Sequence, residues 1–395
     1  MKKSKYFFII LFSAVLIKLF LFVFAVVYAP GSKFSPDSAD YLENARMLYS
    51  RGIFARVDKD GILKSEVIRT PGYPFFLAAL HHAMKIPLSG IIILQIILTI
   101  FAAFITYKTA YQIDPRIGIL SAAIVLYDIP ITVWSLRILT EALFLFLLSS
   151  FIYYFILYLK KGNIKSIMLS ALILAAATYV RPISYYLGSA ISIFIIFAKI
   201  PNNFKRTLQH ALLFLVITYS LLGAWQIRNY ECRRISLFST VAENNFKIHG
   251  LVKAGPESKN LFAQDIASVF HYVNNSWHCF LSFMTGPGSL KYFKSRPLAI
   301  VGKIVAYPWM VFWMTGFLFG VIKIGRNIYY QFMLFVILYF LCVTILNISL
   351  VSDSRFRVPI VPCIAIISAY GWLILYALIK NRVAKFYLTK NEVAR

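Results

Sequence analysis

YFFIILFSAVLIKLFLFVFAVVYAPGSKFSPDSADYLENARMLYSRG, residues 6–52, sets two patterns side by side. The first, 6–29, is apolar apart from Lys18 and the small polar Ser13. It is long enough to cross a hydrocarbon layer about 30 Å thick, where a helix satisfies its own backbone. In the second, Tyr41, Leu42, Ala45, Leu48 and Tyr49 recur at helical spacing, with Ser38 and Asp40 as caps and Gly52 as a stop. This pattern predicts an amphipathic helix on the membrane surface just outside the first span; a merely solvated loop helix has the same spacing. Met1–Lys5 (MKKSK) before an apolar run also fits a signal peptide, but the stretch to Pro30 is long and offers no convincing small-residue cleavage site, so it is read as the first span.

The rest of the chain repeats the first pattern. Of 395 residues 60% are hydrophobic and 14% charged, with a mean hydropathy of +0.73. Soluble domains hold roughly 45–50% apolar residues, so this is a polytopic membrane protein. The apolar runs do not alternate, which argues against a strand barrel and for an all-α bundle. Spans are predicted at 6–29, 89–111, 117–135, 140–159, 166–180, 183–198, 207–225, 299–322, 329–350 and 358–379, about 10 in all, with both termini on one side. With the N-terminus cytoplasmic, the inner segments carry 18 basic residues against Asp114 and Glu392. That bias sets topology and accounts for the net charge of +26 without nucleic acid, which is not expected as a partner. The chain is a single domain, 1–395, with two long extracytoplasmic loops, 31–88 and 226–298, and neither internal repeat nor low-complexity tract. Cys232, Cys279, Cys342 and Cys363 form no CxxC pair; Cys232 and Cys279 pair if their loop is extracytoplasmic, or remain free thiols.

In this topology the conspicuous polar residues reach one surface: Asp37 and Asp40 after the first span, Arg69 before the second, Arg137 and Glu141 between the third and fourth, Arg181, Arg228 and Asn229, and Arg355 and Arg357 before the last. Six arginines face outward, against the trend that keeps basic residues inside. The planar guanidinium fork suits phosphate oxygens, and beside a bilayer the nearest phosphates belong to lipids. The alternative is that individual arginines snorkel or pair with acids such as Asp353 and Glu141. A carboxylate beside a cationic phosphate site suits transfer of a group from a lipid phosphate to an acceptor hydroxyl: the carboxylate takes the proton, the arginines stabilise the departing phosphate, and no second carboxylic acid is needed. His81–His82 and the pair His271 and His278 show no metal-ligand spacing, so neither a metal nor another cofactor is expected. Asn274-Asn275-Ser276 is an acceptor-type sequon, and Lys18 either pairs within the bundle or approaches the lipid carrier.

PDSADY at Pro36–Tyr41, RTPGYPFFLA at Arg69–Ala78, LTEALF at Leu139–Phe144, RP at Arg181–Pro182, WQIRNY at Trp225–Tyr230 and RFRVPIVP at Arg355–Pro362 together resemble the successive signatures of GT-C membrane glycosyltransferases. The resemblance is to the bacterial relatives of protein O-mannosyltransferases and of the lipid A aminoarabinose transferase. It implies that Asp37 is the catalytic base, with Ser38 where a second acid often stands and Asp40 in support. It implies that Arg69 contacts the donor phosphate, that Glu141 supports the site, and that Arg181, Arg228, Arg355 and Arg357 are basic positions of the family's motifs. Tyr41, Tyr73 and Asn229 lie within the same motifs and complete the expected donor- and substrate-binding set.

The resemblance further implies a polyprenyl-phosphate sugar donor, an outer-face acceptor that is a lipid, a glycan or a protein, and action among membrane lipids on the outer face of the cytoplasmic membrane. Larger relatives append a soluble C-terminal domain that is not expected here, leaving acceptor recognition to the two loops. Two rivals share the arginines: a transporter or flippase of a lipid-linked anion, which would line a path through the membrane with polar groups, and an O-antigen ligase or polymerase using a pyrophosphate donor.

Overall fold

The computed structural model describes residues 2–57, 61–198, 203–241, 296–348 and 354–393, and among these each apolar run predicted to span is built on one or two helices. In chain order the helices are α1 (Lys2–Tyr28), α2 (Pro36–Arg51), α3 (Gly72–Leu77), α4 (Leu88–Ile113), α5 (Gly118–Leu126), α6 (Ile129–Ser135), α7 (Glu141–Lys161), α8 (Ile164–Val180), α9 (Leu187–Ala198), α10 (Phe204–Arg233), α11 (Arg296–Ile322), α12 (Ile328–Ile348) and α13 (Val361–Val393). Among the described residues six helices are long and apolar enough to cross a membrane, seven with α5 and α6 taken as one. Three shorter apolar helices, Ile164–Val180, Pro182–Ala198 and Ile328–Thr344, complete the predicted set. The chain is a multi-pass, all-α membrane protein.

The expected span at 117–135 is broken: α5 and α6 meet at an angle of 50°. Pro130 in the first turn of α6 has no N–H to continue a ladder, and the Asp128 carboxylate caps the new helix by accepting from the Ile131 N–H at 2.9 Å. Lys18 pairs within the bundle, donating to Thr132 Oγ1 at 2.8 Å.

The core is largely aliphatic, with a group of packed phenylalanines within it. Phe144, Phe151, Phe155, Phe214, Phe332 and Phe340 are all fully buried, and Phe155 and Phe332 bring their rings to 4.4 Å between centroids. Where α11 and α13 cross at their glycines there is no room even for a Cβ: one on Gly371 would lie 1.8 Å from the Gly316 carbonyl oxygen, and one on Gly320 would lie 2.3 Å from that of Ile367. Both obstacles are backbone, so the helices would have to separate. Gly371→Ala is therefore expected to destabilise the protein by about 1–3 kcal/mol or more through overpacking, read as a lower midpoint in detergent thermal unfolding.

The first long loop is ordered where it is described. Its α2 begins at Pro36, and the Ser35 N–H donates to Ser38 Oγ at 2.9 Å; it ends at Gly52, whose φ of 66° is the left-handed cap expected of glycine. Tyr41, Asn44, Ala45 and Met47 form its buried side. A short antiparallel hairpin, β1 (Ala55–Val57) with β2 (Leu63–Ser65), pairs Ala55 with Ser65 and Val57 with Leu63. Beyond α3 the chain makes a π turn, Ala78–Ala83, before entering α4. Of the second long loop, residues 242–295 lie outside the described part, and with them Cys279, His271, His278 and the Asn274–Ser276 sequon; Asp353 lies outside it as well.

Candidate active site

Two carboxylates stand at helix N-termini and one guanidinium at a helix C-terminus, each at the end of the dipole that favours its charge. Asp37 is in the first turn of α2, Glu141 opens α7, and Arg181 caps α8. Arg355 sits in the 3₁₀ turn Ser354–Phe356 just ahead of α13, and Arg69 in the loop before α3. These elements are far apart in sequence and are stitched together through main-chain groups. The Ile138 N–H donates to the Lys33 carbonyl at 2.9 Å and Ser38 Oγ donates to the Ile138 carbonyl at 2.9 Å, which brings the start of α7 beside the start of α2. Thr70 Oγ1 donates to the Val180 carbonyl at 3.2 Å, and Gly72 packs so close to Tyr179 that a Cβ would lie 2.7 Å from its carbonyl group. Only glycine lets the Arg69 segment reach the end of α8, which gives the RTPGYP motif its physical meaning.

The result is an alternating chain of charges. Arg69 Nη2 donates to Asp37 Oδ1 at 2.7 Å, while Arg69 Nε and Nη2 donate to Asp40 Oδ2 at 3.0 and 2.9 Å. Arg355 Nη1 donates to Asp37 Oδ2 at 2.8 Å and its Nε donates to Glu141 Oε1, which also accepts from Arg181 Nη1 at 3.1 Å. The order is Asp40, Arg69, Asp37, Arg355, Glu141, Arg181, three acids and three bases. The Asp37 side chain is 25% exposed and that of Glu141 1%, so Asp37 lies nearer the open end. Tyr41 sits beneath Arg69, the guanidinium carbon 5.3 Å from its ring centre, and packs edge-on against Tyr73 at 5.2 Å.

Both oxygens of Asp37 face a guanidinium. Burial pushes its carboxyl up, but Arg355 and Arg69 overcome that push and hold it at about 2. It is a carboxylate at any physiological pH, yet a weak base until those arginines find another anion. Partial burial of Arg69 favours loss of its proton, but Tyr41, Asp37 and Asp40 raise it above its ordinary range.

Six of the ten residues picked from the sequence therefore meet: Asp37, Tyr41, Arg69, Glu141, Arg181 and Arg355. The other four make their hydrogen bonds and cation contacts elsewhere, although the Tyr73 ring packs on Tyr41. Arg228 donates to the carbonyls of Phe54 and Glu66, both at 2.6 Å, and stacks over Trp225 at 4.7 Å. Asn229, fully buried, donates to the carbonyls of Leu237 and Phe238. Together they tie the end of α10 to the segment leading into Arg69. The Tyr73 hydroxyl donates to Gln95 Oε1 at 2.6 Å. Arg357 stacks over Trp313 at 5.3 Å and, with Asp128 and Trp309, lines a small cavity between α6 and α11. Arg137 lies 4.7 Å over Trp134, whose ring also carries Arg355 at 5.5 Å. His81 Nδ1 bonds the Ile86 carbonyl and His82 stacks on Tyr49.

Three residues that sequence reasoning missed hold the cluster in shape. The Glu66 carboxylate accepts from the N–H groups of Ile68 at 2.6 Å and Arg69 at 3.1 Å, fixing the loop that presents the guanidinium. Gln95 of α4 donates to the carbonyls of Ser135 and Arg137 and so secures the approach to α7. Gln95 was legible as the lone amide in the apolar run Ile91–Phe104; Glu66 and Trp134 carried no motif. Among the described residues no three His, Cys, Asp or Glu side chains group as a metal donor set.

The family described as dolichyl-phosphate-mannose-protein mannosyltransferase matches residues 69–225. Among curated proteins no sequence matches. Three solved structures share the architecture. The Archaeoglobus fulgidus oligosaccharyltransferase tethered to an acceptor peptide is 10% identical with a TM-score of 0.59, covering 95% of this chain and 50% of that one. The same organism's AglB with an inhibitory peptide and a dolichol-phosphate is 14% identical with a TM-score of 0.54, covering 96% and 52%. Apo ArnT from Cupriavidus metallidurans is 14% identical with a TM-score of 0.52, covering 91% and 60%. The fold is that of the GT-C membrane glycosyltransferases, the superfamily to which the sequence motifs pointed. This chain spans about half the length of the oligosaccharyltransferase and 60% of ArnT.

Proposed function

We propose that this protein transfers a glycosyl group from a polyprenyl-phosphate donor to an acceptor hydroxyl of a lipid, glycan or protein at the outer face of the cytoplasmic membrane. The observation that carries the proposal is Asp37 held between Arg69 and Arg355, a carboxylate flanked by two guanidinium groups of the kind that suit phosphate oxygens. The donor phosphate accepts hydrogen bonds from Arg69 and Arg355, with Arg181 behind them. Asp37, released from part of its pairing, takes the acceptor hydroxyl proton. The acceptor oxygen bonds to the anomeric carbon as the bond from that carbon to the phosphate oxygen breaks, and the electron pair stays on the polyprenyl phosphate, stabilised by the same guanidinium groups. Nothing needs to protonate the leaving group. The family match at residues 69–225 supports this reading, because that segment carries Arg69, Glu141 and Arg181.

The test is incubation of the full chain in proteoliposomes with radiolabelled polyprenyl-phosphate sugars and membrane extract as acceptor source. Release of free polyprenyl phosphate together with label on an acceptor is the expected result. Label that crosses the bilayer with its sugar–phosphate bond intact would make the protein a transporter instead.

A further inference from the structure

The charge chain contains a feature that general acid–base chemistry alone does not require. Asp37 and Glu141, from the starts of two different helices, do not face each other across water; one guanidinium bridges them, Arg355 Nη1 on Asp37 and Nε on Glu141. Two inward carboxylates brought together at a phosphate site form half of a divalent-cation site, since such ions take carboxylate oxygens from the protein and phosphate oxygens from the substrate. Here that position belongs to a cation supplied by the chain. Each Asp37 oxygen already accepts from a guanidinium, and Glu141 Oε1 accepts from two. Of the two bridged carboxylates, only Glu141 offers an oxygen without a hydrogen-bond partner among the described residues, its buried Oε2; Asp40, which accepts from Arg69 through Oδ2 alone, stands on the far side of that guanidinium and not between Asp37 and Glu141. One oxygen beside two fixed positive charges is a poor donor set for an ion that takes six or more oxygen ligands as calcium does.

We infer that Arg355 is a built-in cation that stands in place of a divalent metal ion between Asp37 and Glu141, so that this chain works on its phosphate donor without a metal. The inference rests on the transferase reading for its activity arm only. Arg355 supplies a fixed positive charge that needs no loading and that donates directed hydrogen bonds, and Glu141 holds its Nε edge so that the Nη edge faces Asp37 and the phosphate.

The full chain, stripped with chelator, is assayed for transfer from a polyprenyl-phosphate sugar, and its Mn²⁺ binding is followed by electron paramagnetic resonance. Transfer should stay within about twofold of the untreated rate, whereas removing an ion that stabilised the leaving phosphate would cost on the order of 10²-fold. Free Mn²⁺ signal should be undiminished by the parent protein. Arg355→Ala, or Arg355→Gln if the alanine variant does not fold, exposes the two carboxylates to each other and should gain Mn²⁺ binding that is lost again when Glu141→Gln is added. Chelator-sensitive transfer restored by Mn²⁺, or Mn²⁺ bound by the parent, overturns the inference and leaves the transferase reading standing. A folded Arg355 variant that binds no Mn²⁺ overturns it too. If no donor supports transfer under any condition, the transferase reading fails, and the Mn²⁺ titrations still decide the role of Arg355.

Discussion

Asp37→Asn is expected to lower the rate of glycosyl transfer by about 10³-fold, within the range that a positioned general base contributes, while leaving the chain folded. The loss falls on kcat, because an amide of the same shape can still receive hydrogen bonds through its oxygen but cannot take a proton. Folding is spared because neither guanidinium is left alone. Arg69 keeps Asp40 through two hydrogen bonds, and Arg355 keeps Glu141. A buried charge stripped of every partner is what makes the loss of one member of an ion pair severely destabilising, and the alternating order of the cluster prevents that. The measurement is transfer activity beside a detergent thermal midpoint. Near-full activity with an unchanged midpoint would remove Asp37 from the mechanism.

The fold was legible because its main determinant is one-dimensional. Runs of apolar residues long enough to cross a bilayer leave few alternatives to helices, and among the described residues each of the ten predicted runs is built on one or two helices. The break between α5 and α6 was missed because it depends on Asp128 capping inside an apolar stretch, a local event that hydropathy averages away. The centre of the site was legible for a different reason: a carboxylate or an arginine at a membrane boundary must have a partner, so Asp37, Arg69, Glu141, Arg181 and Arg355 could be grouped before their contacts were known. Arg228, Asn229 and Arg357, grouped by the same logic, make their contacts away from this cluster. An arginine can also be satisfied by carbonyl oxygens and an aromatic face, and nothing in the residue type distinguishes that use from phosphate binding. Glu66 was invisible because its work, accepting two main-chain N–H groups, exists only once the loop is folded.

Arg69→Ala is expected to reduce kcat/KM for the lipid-phosphate donor by about 10²–10³-fold, the scale of losing one preorganised charge-stabilising donor, and to change how activity depends on pH. In the parent, burial raises the Asp37 carboxyl and Arg355 and Arg69 together bring it down to about 2. The base is therefore ionised throughout the working range, and kcat/KM should show no acid limb from Asp37 above about pH 4. Without Arg69 the upward push of burial is opposed by Arg355 alone, so the carboxyl titrates at higher pH and an acid limb moves into view. Stability shifts in the same sense. A carboxylate with a depressed folded-state pKa contributes stability that is present above its unfolded value, about 3.9, and is lost as pH falls through the folded one. The variant loses part of that contribution at neutral pH, and what remains disappears earlier on acidification. Arg69→Lys restores the charge but not the fork, so it should return the pH profile toward that of the parent while recovering only part of the donor affinity. Activity–pH profiles of the three proteins with one donor decide the matter: an unmoved acid limb in Arg69→Ala would mean that Arg69 does not set the state of Asp37.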